Sequence, residues 1–74
     1  MQNKEIFAGA GCRRKIDDID RLVRDYPGTS ESEWMKAKAI AEIVTEYGEY
    51  MKAEIHWYEE PLVGKVEFKF KSEV

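Results

Sequence analysis

Three side chains suited to phosphodiester chemistry alternate along one short stretch of the sequence. Glu54, His56 and Tyr58 are each two residues apart. Residues two apart in a β-strand share a face, so a strand here would present all three together. RNA cleavage without a metal needs a base for the 2′-hydroxyl, an acid for the leaving oxygen and cations for the phosphorane charge. Glu54 and His56 are the candidate base and acid, in either order, and Tyr58 would orient or protonate the substrate.

Cationic side chains that could hold a phosphate lie in two other parts of the sequence. Lys69 and Lys71 alternate along the last apolar stretch, whereas Arg13 and Arg14 precede a helical pattern, where cations gain nothing from the helix dipole. Arginine and lysine donate hydrogen bonds to phosphate oxygens. We therefore predict that these four residues bind a phosphate or an acidic partner.

Each of these groups also has a simpler structural interpretation. His56 lies between Ile55 and Trp57, as an exposed sheet residue or a packed aromatic ring would. The lysines are typical of a half-exposed edge strand, where they oppose aggregation. Arg13 and Arg14 begin a cationic run that solvent alone would satisfy.

The size and composition of the chain exclude several classes of protein. A chain of 74 residues with one cysteine and one histidine cannot form an internal disulfide, and it lacks the ligands of a Cys/His zinc site. We predict no metal and no cofactor. The net charge of −3 excludes a generally basic nucleic-acid binder, although a local basic patch remains possible. No stretch has the length of a membrane span or the pattern of a signal peptide, so we expect a cytoplasmic protein without membrane contact.

The first half of the chain carries helical signals. Apolar residues at three- and four-residue spacing predict an amphipathic helix that Pro27 ends; they are Ile16, Ile19, Leu22, Val23 and Tyr26. Ser30 and Glu33 have the spacing of a capping box and predict a second, short helix from Glu31 to about Lys36. This helix would place Trp34 in the core. Residues 4–8 could form a short strand.

Alternating residues predict a sheet in the second half. We expect a three-stranded antiparallel meander over residues 39–46, 50–58 and 65–71, with both helices covering one face. That face would carry Trp57 and its alternating neighbours, together with Val66, Phe68 and Phe70, and the opposite face would be open. One long helix over 31–58 is the alternative, but Gly48 and the need of the last strand for a partner disfavour it. The prediction is one α+β domain spanning 1–74.

Several segments together resemble a small C-terminal module of phage minor head (minor capsid) proteins and of some bacterial polymorphic toxins. They are Ile16-Asp17-Asp18-Ile19-Asp20-Arg21-Leu22-Val23, Trp34, Ala53-Glu54-Ile55-His56-Trp57-Tyr58-Glu59 and Gly64-Lys65-Val66-Glu67-Phe68-Lys69-Phe70-Lys71. The resemblance implies the barnase, EndoU, colicin and RelE-like nuclease fold, in which a sheet face cuts RNA. It also implies a mobile-element origin, attachment to a larger chain and, within a phage head protein, association with the virion.

Two hypotheses follow from the sequence. The first is a module that acts by binding, through an uncovered sheet face or edge, to a protein partner or a second copy, because a 74-residue domain without disulfides gains stability from a partner. The second is a metal-independent RNase-like toxin or effector domain that uses Glu54, His56, Tyr58 and the basic residues on RNA.

Overall fold

A four-stranded antiparallel sheet dominates the computed structural model, which describes all 74 residues. The strands are β1 (Gln2–Gly9), β2 (Met35–Val44), β3 (Tyr50–Glu60) and β4 (Gly64–Glu73), and they lie side by side in chain order. The connection from β1 to β2 contains the only helix, α1 (Ile19–Asp25), and a 3-10 turn (Glu31–Glu33). The molecule is therefore α+β only in the broad sense, since strands make up most of it.

The predicted three-stranded meander is wrong because β1 adds a fourth strand and β2 begins earlier than expected. β1 pairs with β2 along its length, with Ile6 opposite Ala37 and Gly9 opposite Met35. From Lys36 to Ala39, lysine alternates with alanine, and this period of two suits a strand. Residues 31–58 contain the β2–β3 hairpin, which excludes one long helix.

The second predicted helix is also wrong. Only Glu31–Glu33 form a turn, and Trp34 already has the extended backbone of a strand, with φ −67° and ψ 136°. The Ser30 hydroxyl does not cap a helix but hydrogen-bonds the hydroxyl of Ser32, at 3.0 Å. The expected capping box is therefore absent.

α1 is shorter than its apolar spacing predicts. It begins at Ile19, and the Asp18 carboxylate that could cap it accepts a hydrogen bond from the Tyr58 hydroxyl instead, at 3.1 Å. It ends where the Tyr26 amide donates to the Leu22 carbonyl, directly before Pro27. The predicted first turn, residues 16–18, is therefore not helical, and Asp18 contacts the sheet instead.

Two apolar clusters lie on opposite faces of the sheet. The first joins α1 and its flanking segments to β1 and β3, and it comprises Ala8, Ile16, Leu22, Trp34 and Tyr58. The second lies on the other face of the sheet, on β2 and β3, and comprises Ala37, Ala39, Ala53, Ile55 and Trp57. Both tryptophans are buried, as predicted, with 0% of Trp34 and 1% of Trp57 exposed. The helix nevertheless packs on the Tyr58 face, so the prediction that helices cover the Trp57 face is wrong.

The last strand is irregular. Its register against β3 shifts twice, and Glu67 has a positive φ of 57°. Such bulges break the alternation of side chains. Consequently Val66 packs against the helix-side cluster, whereas Phe68 packs against Trp57 on the other face. Phe68 and Phe70 are each 52% exposed rather than in the predicted core.

Candidate functional site

His56 lies at the centre of the sheet, between two lysines. It is on β3, opposite Lys38 of β2 and opposite Lys69 of β4. Its ring packs against that of Phe7 in an edge-type contact, with centroids 5.1 Å apart and an angle of 63° between the planes, and 15% of its side chain is exposed. The imidazole is therefore held in a defined orientation and still reaches the surface.

His56 and Glu54 form a hydrogen-bonded pair, with 2.7 Å between Nε2 and Oε2. This hydrogen bond holds the pKa of Glu54 below its usual range, and the charges of Lys38 and Lys71 act in the same direction. An ionised carboxylate only accepts hydrogen bonds, so Nε2 carries the hydrogen. In the neutral ring, Nδ1 then holds the lone pair. Nδ1 has no hydrogen-bond partner and is not buried, which leaves it free to accept a proton.

Tyr58 is the next residue on the same face and is a proton donor. Its hydroxyl donates to Asp18 Oδ2, and only 9% of the residue is exposed. Burial, followed by the hydrogen bond and the charge of Asp18, raises the pKa of Tyr58 to about 12. The Nζ atom of Lys36 lies 5.5 Å from the centroid of the Tyr58 ring. At neutral pH the phenol therefore keeps its proton beside a cation.

A cleft of about 310 Å³ opens beside these residues. We call it the His56 cleft, and its walls include His56, Tyr58, Phe68 and three lysines, Lys36, Lys69 and Lys71. None of the three lysines forms an ion pair. Although the chain has a net charge of −3, this cleft holds uncompensated positive charge.

One wall of the cleft is fixed by a carboxylate that sequence reasoning missed. Glu67 of β4 accepts two hydrogen bonds from the Arg21 guanidinium, at 2.9 and 3.2 Å, and a third from the Tyr26 hydroxyl, at 2.9 Å. The hydrogen bonds from Arg21 hold the pKa of Glu67 below its usual range. We call this set the Glu67 clamp. It fastens the helical segment to β4.

The structure divides the predicted site residues into two places. Glu54, His56 and Tyr58 share a face of β3, and Lys69 and Lys71 border the same cleft as His56 and Tyr58. Glu54 does not line the cleft, but its carboxylate is hydrogen-bonded to the ring of His56. Arg13 and Arg14 lie in the loop after β1. Arg14 borders a different cleft, beside Cys12 and Trp34.

Lys36 and Arg21 were not among the predicted site residues, although both line the His56 cleft. Lys36 was assigned to the second helix, and the period of two that begins there is the signal that could have placed it on a strand. Arg21 lies on the predicted helix, but no pattern in the sequence indicates that it meets Glu67.

Two further features bear on the predictions. No three His, Cys, Asp or Glu side chains are grouped so that they could hold a metal ion. The single helix has seven residues, and no helix in the structure has the length and apolar character needed to cross a membrane.

Comparison with known proteins does not assign the chain to a family. No protein-family model, curated protein or solved structure matches it.

Proposed function

We propose that this chain binds RNA in the His56 cleft and cleaves it by metal-independent transesterification. The proposal is supported by one observation above all: the hydrogen-bonded pair of Glu54 and His56 adjoins a cleft that also holds a protonated tyrosine and three unpaired lysines. The phage or mobile-element origin implied by the sequence resemblance is part of the same proposal.

The direct contact between Glu54 and His56 favours one division of roles. Two groups that hydrogen-bond each other cannot stand on opposite sides of a phosphate, so they act as a unit. In this unit Glu54 orients the ring and stabilises the imidazolium that forms, and His56 Nδ1 acts as the general base.

Tyr58 is then the general acid, once its O–H turns from Asp18 toward the leaving oxygen. It is two residues from His56, or roughly 7 Å along the strand at about 3.3 Å per residue, which leaves room for a phosphate between them. His56 removes the 2′-hydroxyl proton, the 2′-oxygen attacks phosphorus, and the bond to the 5′-oxygen breaks as Tyr58 protonates it. The products are a 2′,3′-cyclic phosphate and a 5′-hydroxyl. Lys36, Lys69 and Lys71 stabilise the negative charge that accumulates on the phosphorane.

The test is cleavage of an end-labelled single-stranded RNA in the presence of EDTA. We expect products that end in a 2′,3′-cyclic phosphate, and no cleavage where a single 2′-deoxy residue replaces the attacking nucleotide. His56→Gln should lower the rate roughly 10²- to 10⁴-fold, because the substitution removes the base and keeps the size of the side chain.

Lys69→Gln and Lys52→Gln form a matched pair for the cationic contribution. Both lysines are exposed on the sheet, but only Lys69 lines the cleft. Lys69→Gln should slow cleavage and Lys52→Gln should not. An unchanged rate in a folded His56→Gln protein, as judged by circular dichroism, would contradict the catalytic proposal, as would a parent protein that leaves RNA intact.

The tip of the β2–β3 hairpin supports a second candidate function, binding to a protein. Three apolar or aromatic side chains are exposed there, Val44 at 59%, Tyr47 at 81% and Tyr50 at 79%. Tyrosine is enriched in protein interfaces, where its ring supplies contact area. Glu46 and Glu49 flank these side chains, so a partner with a basic surface would be complementary.

Site-specific photo-cross-linking in cells tests this second function. A photoreactive residue at position 47 should yield one discrete cross-linked product. The same residue at position 33, which is exposed on the 3-10 turn, serves as the control and should not yield it. Identical products from both positions, or none from position 47, would argue against a protein contact at the tip.

A further inference from the structure

The two ends of the sheet carry unpaired charges of opposite sign. At one end, the tip of the β2–β3 hairpin presents the exposed ring of Tyr47 between the exposed carboxylates of Glu46 and Glu49. At the other end, Arg14 and Lys15 are exposed in the loop after β1. None of these four charged side chains forms an ion pair within the molecule. Both ends therefore offer charge to a partner.

The cationic end also contains a cleft of about 360 Å³, which we call the Arg14 cleft. Its two cations, Arg14 and Lys15, outnumber its single carboxylate, that of Glu31. Its apolar lining comprises Ile16, Ile19 and Trp34. Pockets that hold a ligand-sized group usually measure about 300–1,000 Å³ and combine an apolar lining with a few polar groups. The Arg14 cleft thus suits a group that is both aromatic and acidic.

Both surfaces are held in a defined shape by hydrogen bonds. In the tip, the Thr45 hydroxyl accepts hydrogen bonds from the amides of Tyr47 and Glu49, at 3.3 and 3.2 Å. In the loop after β1, the Gly9 amide donates to the carbonyl of Arg14, at 2.8 Å. Surfaces that are already ordered lose less conformational entropy when they bind.

A molecule cannot place its own tip in its own cleft. β2 begins beside the Arg14 cleft, where Met35 pairs with Gly9, and it ends at the tip, where Val44 pairs with Tyr50. The ten residues of β2 span roughly 33 Å at about 3.3 Å per residue. The tip can therefore reach an Arg14 cleft only on another molecule.

We propose that the tip of one molecule docks into the Arg14 cleft of a second copy of this chain. The ring of Tyr47 packs against the apolar lining, and Glu46 and Glu49 accept hydrogen bonds from Arg14 and Lys15. This inference rests on the second candidate function, protein binding by the tip, and it identifies the partner as another copy of the same chain. It does not depend on RNA cleavage.

Docking of this kind is not limited to a dimer. The tip and the cleft are different surfaces, so the contact is heterologous, and each pair of molecules still has one free tip and one free cleft. Assembly should therefore continue beyond the dimer as the protein concentration rises. The tip is a turn of five residues (45–49), whereas a standard interface has about 20–30 residues a side, so each contact should be weak.

Sedimentation velocity of the purified chain measures this assembly over a series of concentrations that extends to the millimolar range. We expect the average sedimentation coefficient to rise past that of a dimer. It should fall when the salt concentration is raised from about 0.1 to about 1 M, because the screening length shortens from about 10 to about 3 Å. Tyr47→Ala should weaken association about 30-fold or more, the usual effect of losing an aromatic anchor.

Arg14→Glu and Arg24→Glu form a matched pair for the charged contacts. Both arginines are exposed and both substitutions change the net charge equally, but only Arg14 lines the cleft. Arg14→Glu should weaken association about tenfold or more, because it places like charges together. Arg24→Glu should change association about twofold or less.

A mixture of two variants distinguishes docking of tip into cleft from symmetric association. The tip variant carries Glu46→Lys and Glu49→Lys, and the cleft variant carries Arg14→Glu and Lys15→Glu. Each variant alone should stay monomeric, because like charges then face each other. An equimolar mixture should assemble again, because each tip then meets a cleft of opposite charge.

Photo-cross-linking locates the contact in that mixture. A photoreactive residue at position 47 of the tip variant should cross-link to residues 10–34 of the cleft variant, as identified by mass spectrometry.

Several results would overturn the inference. They are a folded parent that is monomeric at every concentration, equal effects of Arg14→Glu and Arg24→Glu, and a mixture that does not assemble or that cross-links outside residues 10–34. The second candidate function would survive such a result if position 47 cross-linked to a different protein in cells. It would fail as well if position 47 gave no product there.

Discussion

Replacing Trp34 with alanine is expected to leave much of the protein unfolded. Trp34 is completely buried between the helical segment and the sheet, and its ring contacts Tyr26 at a centroid distance of 5.4 Å. Its indole N–H donates to the Thr29 hydroxyl, at 3.0 Å. A buried tryptophan replaced by alanine costs about 3–5 kcal/mol. The free energy of unfolding is about 0.05–0.15 kcal/mol per residue, so a domain of this length has only on the order of 4–11 kcal/mol in total.

Urea denaturation followed by circular dichroism measures this loss. Trp34→Phe keeps an aromatic ring but loses the hydrogen bond to Thr29, so its effect should be smaller. Leu62→Ala serves as the exposed control, since 67% of Leu62 is exposed, and it should change stability by less than about 0.5 kcal/mol. If Trp34→Ala shifted the midpoint no more than Leu62→Ala, Trp34 would not be the main link between helix and sheet.

Gly9→Ala is expected to have an effect of similar size through the backbone. Gly9 ends β1 with a positive φ of 87°, a conformation that disfavours any β-carbon. A β-carbon here would also overlap the carbonyl oxygen of Trp34, which accepts a hydrogen bond from the Ala10 amide at 2.9 Å. Backbone strain and steric overlap together should lower the free energy of unfolding by about 3 kcal/mol or more.

Gly11→Ala separates the two contributions. Gly11 has a similar φ of 78°, but nothing lies within 4 Å of the position its β-carbon would take. Gly11→Ala should therefore lower the free energy of unfolding only by the cost of a positive φ for alanine, about 1–2 kcal/mol. The difference between the two variants in urea denaturation reports the overlap with Trp34. Equal losses would show that no close approach of β1 to Trp34 exists in solution.

Local periodicity predicts some elements of this fold and not others. The apolar spacing that ends at Tyr26 predicts a helix, and alternation predicts β3 and β4, because these patterns record which side chains face a core. The first turn of the predicted helix is absent, and there the Asp18 carboxylate accepts a hydrogen bond from Tyr58, forty residues away. The start of β2 is predicted wrongly because the spacing of Ser30 and Glu33 suggests a helix cap. In the structure, the Ser30 hydroxyl is hydrogen-bonded to Ser32 instead.

The candidate site shows the same division between local and non-local information. A period of two predicts that Glu54, His56 and Tyr58 share a face, and no knowledge of the fold is needed. The position of Lys69 opposite His56 depends on the register of β4 against β3, and that register contains two shifts. Likewise, Val66 and Phe68 lie on different faces because of the bulge at Glu67, for which the alternating sequence of β4 contains no signal.

The unequal connections of the sheet have a consequence for how the chain folds. Turns of five residues (45–49) and three residues (61–63) join β2 to β3 and β3 to β4, whereas 25 residues (10–34) separate β1 from β2. Closing a loop of 25 residues rather than three costs about 2 kcal/mol more in chain entropy. We infer that the β2–β3–β4 meander forms first, and that β1 docks last together with the segment that carries α1. The wall of the cleft that the Glu67 clamp holds is then complete only at the final step of folding.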